Sequence, residues 1–190
     1  MSGDYVVVVE GLSSLEDIEN LDANILLRAR QAINKTVDRT RTSSAKSMRE
    51  QINFPARYLN DRLTVTKRPS GSSLQAVISG RDRPTSLARF ATNRNQKPGK
   101  AGVNVQVDAS ASKRMARAFL IKLRNGNLGL ALRLKKGESM TNSRAAVLMS
   151  KGLYLLYGPS VDQVFQSVSQ DEAPKAAEYL EQEFLRLMEL

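Results

Sequence analysis

The amino-acid sequence predicts a mixed α+β fold: an antiparallel sheet built from two hairpins plus one further strand, packed by a long N-terminal helix and two C-terminal helices. Three observations carry this expectation. Apolar residues recur at helical spacing up to residue 53, alternate at strand spacing between 63 and 134, and return to helical spacing after 158. Two turn signals, Pro69-Ser-Gly-Ser72 and Asn125-Gly126-Asn127, each sit between apolar runs and so mark hairpins. At 190 residues the chain has the length of one well-cored domain, so 1–190 is expected to be a single domain.

Tyr5-Val-Val-Val-Val9 is mostly β-branched and reads as a first strand. Ser13-Ser-Leu-Glu16 has the pattern of a capping box, so a long helix is expected over 13–53. Its apolar stripe runs through Leu15, Ile18, Leu21, Ile25, Ala29, Ala32, Ile33, Thr36, Thr40, Met48 and Ile52, and thins through the Thr-Ser section near 40–47. Arg28, Lys35, Arg39, Lys46 and Arg49 fall on the opposite face, which reads as a solvated exterior. Asp22 or Asn24 can divide this helix, and Pro55 must stop it. Pro55 can also open a single short helical turn through Leu59.

Leu63–Arg68 and Leu74–Ser79 alternate across their loop and should pair antiparallel. Val103, Val105 and Val107 alternate with Asn104, Gln106 and Asp108 as a half-buried strand. Ala118–Leu123 and Leu128–Leu134 form the second hairpin, and Val147–Tyr157 is a last apolar segment ending at Gly158-Pro159. Ser160-Val-Asp-Gln163 caps a short helix with Val161, Val164, Phe165 and Val168 on one face. Asp162 already complements the dipole there, which argues against anion binding at that end. A second helix is expected from Asp171–Pro174 onward, with Ala177, Leu180, Phe184 and Leu187 inward and Glu178, Glu181 and Glu189 outward.

The chain has no cysteine and no histidine, which removes disulfides, thiol nucleophiles, imidazole bases and zinc sites of the usual kind. No cofactor and no enzymatic activity are expected. Asp82 and Asp108, isolated acids among bases, read as charge balance rather than as acid–base groups. No apolar run is long enough to span a membrane and no secretion leader can be drawn, so a soluble, intracellularly made protein without membrane contact is expected.

The net charge of +10 is distributed unevenly: residues 1–27 carry −6, 28–68 carry +8, 81–151 carry +13 and 152–190 carry −5. A basic middle between acidic ends suits either a phosphate-facing surface or a patch that docks on acidic protein. With no Trp, five Phe and five Tyr, the chain has little material for stacking on bases, so any nucleic-acid contact should be to the backbone. The candidate contact residues are Arg81, Arg83 and Arg89, in the loop after the first hairpin, with Lys97, Lys100, Lys113 and Arg114 on the loops and edge that follow. A stand-alone, non-sequence-specific nucleic-acid-binding protein is the alternative reading.

Several blocks resemble the minor tail protein Z family of lambda-like, long-tailed bacteriophages and prophages: Arg83-Pro-Thr-Ser-Leu-Ala-Arg-Phe90, Ala118–Asn127, Gly129–Leu134 and Leu156–Phe165. The likeness continues through Ala32–Lys35, Tyr58-Leu59 with Leu63–Val65, and Phe184-Leu-Arg186. The resemblance implies a structural virion protein that completes the head-proximal end of a tail and supports head–tail joining and positioning of the DNA end. It also implies tail and neck partners, including the tail terminator and tail tube, a place in the virion after synthesis in the host cytoplasm, and a homo-oligomeric ring of about six copies. The family supplies no catalytic residue to carry over.

Overall fold

A computed structural model describes residues 22–71, 73–93, 101–140 and 145–189. The strand expected at 5–9 and the capping box at 13–16 lie outside the described residues, as do Lys97 and Lys100. The fold is α+β, and the chain groups into two compact units. Unit 1 comprises residues 1–48, 60–82 and 162–190, and unit 2 comprises 49–59 and 83–161.

In unit 1, helix α1 (Ala23–Gln51) starts where the Asp22 carboxylate accepts the Asn24 amide at 2.7 Å. An acceptor at this position satisfies one of the amides that a helix start leaves without an intrahelical partner. The buried stripe is Ala29, Ala32, Thr36, Val37, Thr40, Ser44 and Met48, so small polar residues continue it where apolar ones thin out. The short helix α2 (Ala56–Arg62) follows Pro55, whose carbonyl accepts the Leu59 amide at 3.0 Å. Strands β1 (Leu63–Lys67) and β2 (Val77–Gly80) pair antiparallel in a two-stranded sheet, with a bulge between Val65 and Lys67. Arg41 holds the start of β1 by donating to the carbonyls of Leu63 at 2.7 Å and Asn60 at 2.8 Å.

The two C-terminal helices expected from the sequence are one, α3 (Val161–Met188), with Pro174 inside it. An internal proline costs a helix about 3 kcal/mol. Here a single buried stripe runs across it, through Val161, Val164, Phe165, Val168, Glu172, Ala176, Glu183 and Leu187. Two of those residues are carboxylates. Glu172 accepts from the hydroxyls of Ser43 and Ser47 and pairs with Lys175 at 2.9 Å. Glu183 pairs with Lys35 and Arg186, both at 2.7 Å. The inward face is therefore rotated from the expected one: Ala177 is exposed, Leu180 and Phe184 are half-buried, and Leu187 is buried, while Glu178, Glu181 and Glu189 are exposed as expected. Lys35 and Arg39, read as solvated, meet α3, since the Arg39 guanidinium lies 4.0 Å from the Tyr179 ring centre.

Arg186, then Lys35, hold the Glu183 carboxyl below its ordinary 4.5, at about 2. A carboxylate whose folded pKa is depressed contributes stability above the unfolded value, and that contribution disappears as pH falls through the folded one. Acidification from about pH 5 to about pH 2 should thus narrow the stability gap between wild type and Glu183→Gln, as read by urea denaturation at each pH. A gap that stays constant over this range would show that Glu183 gains nothing from its cations.

Unit 2 holds a five-stranded antiparallel sheet and a smaller two-stranded one. The larger has the path β3 (Thr85–Ser86), β9 (Leu153–Gly158), β7 (Leu128–Arg133), β6 (Ala118–Lys122), with β8 (Ala146–Ser150) also paired to β9. The smaller pairs β4 (Val103–Val105) with β5 (Lys113–Met115). The first hairpin thus stands in a sheet of its own, and the main sheet extends past residue 134. Val147–Tyr157, expected as one segment, is the hairpin β8–β9, reversed at Lys151 and Gly152, where Gly152 takes φ 71°.

Between β6 and β7 the loop is Arg124-Asn125-Gly126, closed by the Gly126 amide on the Leu123 carbonyl at 2.9 Å, with Gly126 at φ 78°. That geometry needs a residue tolerant of positive φ at the loop's third position. One face of the main sheet packs Ala118, Leu120, Leu130 and Leu156 with Val103 and Val105, and the other gathers Phe119, Ala131 and Leu155. Phe54 and Phe90, each at most 2% exposed, meet at 5.6 Å between ring centres, with Tyr58 at 6.3 Å from Phe54.

Candidate interaction surface

Charge divides unevenly between the two units. Of the 29 Lys and Arg and 19 Asp and Glu, unit 1 carries 12 and 16, whereas unit 2 carries 17 and 3. The net charges are −4 and +14.

Ion pairing widens the contrast. Unit 1 contains four ion pairs between described residues: the Glu172 pair, the two Glu183 pairs, and Arg68 with Asp38 at 2.6 Å. Unit 2 contains one among the described residues, Arg117 with Glu138 at 3.1 Å. Glu138 also accepts the Lys135 amide at 2.8 Å, and that bond, then Arg117, keeps its carboxyl below the usual range. Asp108 is engaged locally by the Ser110 hydroxyl and amide, which lower its pKa. Two of the unit's three acids are thus occupied at home, and its cations face a shortage of internal partners.

Of the seven residues singled out from the sequence, five are described. Arg81 is half-buried in unit 1, where its amide donates to the Arg62 carbonyl at 2.9 Å and its carbonyl accepts the Asp162 amide at 3.1 Å. Arg83 and Arg89 belong to unit 2 and are exposed. Arg83 stands before Pro84 at the approach to β3.

Arg89 lies on the one-turn 3-10 helix Leu87–Phe90, opened by the Ser86 hydroxyl accepting the Ala88 amide. That helix sends Phe90 into the core and leaves Arg89 outside. Its guanidinium rests 4.2 Å from the Tyr58 ring centre, and the Tyr58 hydroxyl is hydrogen-bonded to Thr85 at 3.2 Å. A fixed ring beneath a guanidinium orients the cation without neutralising it. Beside Arg89 a cleft is lined by Pro55, Ala91, Gly126 and Asn127.

Lys113 and Arg114 are neighbours on β5, opposite Val105 and Asn104 respectively. Successive strand residues point to opposite faces, so the two do not share one. Arg114 also donates to the Ala101 carbonyl at 3.2 Å. Lys122, Arg124, Arg133, Lys135, Lys136 and Lys151 add exposed bases of unit 2 that the first selection did not include. Their signal lay in the +13 of segment 81–151 taken whole, rather than in any local motif.

No helix among the described residues is long and apolar enough to cross a membrane. The arrangement defines a class, an α+β protein whose second unit is a cationic module suited to binding anions or acidic protein. The sequence model of the prophage minor tail protein Z family matches residues 9–189, and the chain belongs to that family. Its role is accordingly that of a structural protein of a phage tail, with other tail proteins as partners. No curated relative and no solved structure matches the chain.

Proposed function

We propose that this protein completes the head-proximal end of the tail, as a closed ring of about six copies that supports head–tail joining and positions the DNA end. The tail terminator and tail tube are its neighbours in this reading, and the two units act as one tail-completion domain, because the chain crosses between them four times. The observation that carries the proposal is the +14 of unit 2 with a single internal ion pair among its described residues. Concentrated, unneutralised cations attract the phosphates of a DNA end or the acidic surface of a neighbour. The net −4 of unit 1 supplies such a surface in every copy, so head-to-tail contacts of a ring can alternate in sign. Membership of a tail family leaves a stand-alone nucleic-acid-binding role without support of its own.

The test is a salt titration with duplex DNA. Binding should be weak and indifferent to sequence, and log K should fall against log salt with a slope of about −0.9 per phosphate engaged. Undetectable binding at about 50 mM salt would remove direct DNA contact by the free protein and leave the surface to protein partners.

A further inference from the structure

Strand β8 is paired on one side by β9, and among the described residues no strand pairs its other side. An open edge with unused amides and carbonyls is ordinarily protected by charge, proline or a covering element. Ala146-Val-Leu-Met-Ser150 has no charge and no proline, and its bulge between Leu148 and Ser150 is the sole protective device of that kind. Val147, Leu148 and Met149 are 54%, 58% and 48% exposed. Val147 and Leu148 stand on opposite faces of the sheet, so a layer stacked on one face cannot cover both. A strand laid alongside β8 covers both and also satisfies the open main chain.

We propose that this strand is Asp4–Glu10 of a second copy, added antiparallel to β8. Tyr5-Val-Val-Val-Val9 has the β-branched composition that a pleated edge favours, and an acid stands at each end of it. Residues 1–27 carry −6 and no base, whereas β8 belongs to the +14 unit. Setting Val7 opposite Leu148 brings Asp4 to the end of β8 that is followed by Lys151, an exposed cation. The inference rests on the ring proposed above and gives its head-to-tail contact a chemical form: main-chain hydrogen bonds flanked by opposite charges.

The chain's lack of cysteine makes a direct test possible. Full-length Val7→Cys and Leu148→Cys proteins, carrying different tags, are mixed under mild oxidation. The mixed disulfide should form at least about tenfold faster than between Val7→Cys and Leu27→Cys, whose cysteine replaces an exposed leucine of unit 1. Replacing Val6, Val7, Val8 and Val9 by Ser should weaken self-association at least about tenfold. No excess of disulfide over the Leu27 control overturns the proposal. A disulfide that closes within the single Val7→Cys/Leu148→Cys chain, and not between chains, overturns the assignment to a second copy. Rings of wild-type protein on assembled tails without the mixed disulfide would sink the strand pairing and leave the ring intact. The disulfide without rings would do the reverse.

Discussion

Phe54→Ala should destabilise the protein by about 3–5 kcal/mol, the largest effect of any single substitution considered for this chain. Phe54 is 1% exposed and packs against Phe90 and Tyr58. Its truncation removes transfer free energy and leaves a cavity beneath the ring that carries Arg89. The residue precedes Pro55, whose own geometry fixes the start of α2, so the backbone has little freedom to close the gap. In urea the midpoint should fall by more than about 1 M with the slope unchanged. Leu27→Ala, at a residue 47% exposed, should stay within about 0.5 kcal/mol of wild type. A Phe54→Ala midpoint as close as that to wild type would show that the aromatic cluster is not part of the core that holds unit 2.

The second large effect is on assembly. Replacing Arg81, Arg83 and Arg89 together by Ser should leave a folded protein that no longer completes infectious particles. Arg81 serves its loop through main-chain bonds that serine retains, and Arg83 and Arg89 are exposed. Exposed cations contribute under about 1 kcal/mol each to folding, so circular dichroism and melting should change little. Complementation of a phage lacking this protein should collapse, because three charges leave a surface that acts through its field. Complementation equal to wild type would remove these arginines from assembly. The single variant Arg83→Ser separates charge from platform, since only Arg89 lies over Tyr58.

Much of the architecture was legible because its signals are local. The stripe of α1 includes Thr36 and Thr40 as read, both buried, and the two hairpin turns fall where glycine and asparagine mark them. The continuity of α3 across Pro174 was hidden, because proline's local cost is visible in the sequence and the tertiary stripe that offsets it is not. The buried Glu172 and Glu183 escaped for a related reason: an apolar periodicity discards carboxylates, and the Ser43 and Ser47 hydroxyls that meet Glu172 lie beside the buried stripe of α1 rather than on it. The turn at Lys151-Gly152 carried a glycine signal that the long apolar run around it masked. For the candidate surface, segment totals exposed the basic middle. The split into −4 and +14 required knowing that 49–59 groups with 83–161.

That interleaving also sets a timetable for synthesis. Unit 2 ends at residue 161, so the last of its residues is made before the helix that completes unit 1. At about 5–20 residues per second, Ser43 waits several seconds or more for Glu172, and Lys35 for Glu183. Through that interval the face of α1 destined for α3 has only water or a chaperone against it. Its buried positions are largely Ala, Thr and Ser, with Val37 and Met48 the larger apolar side chains, a composition that can stand wet without clumping.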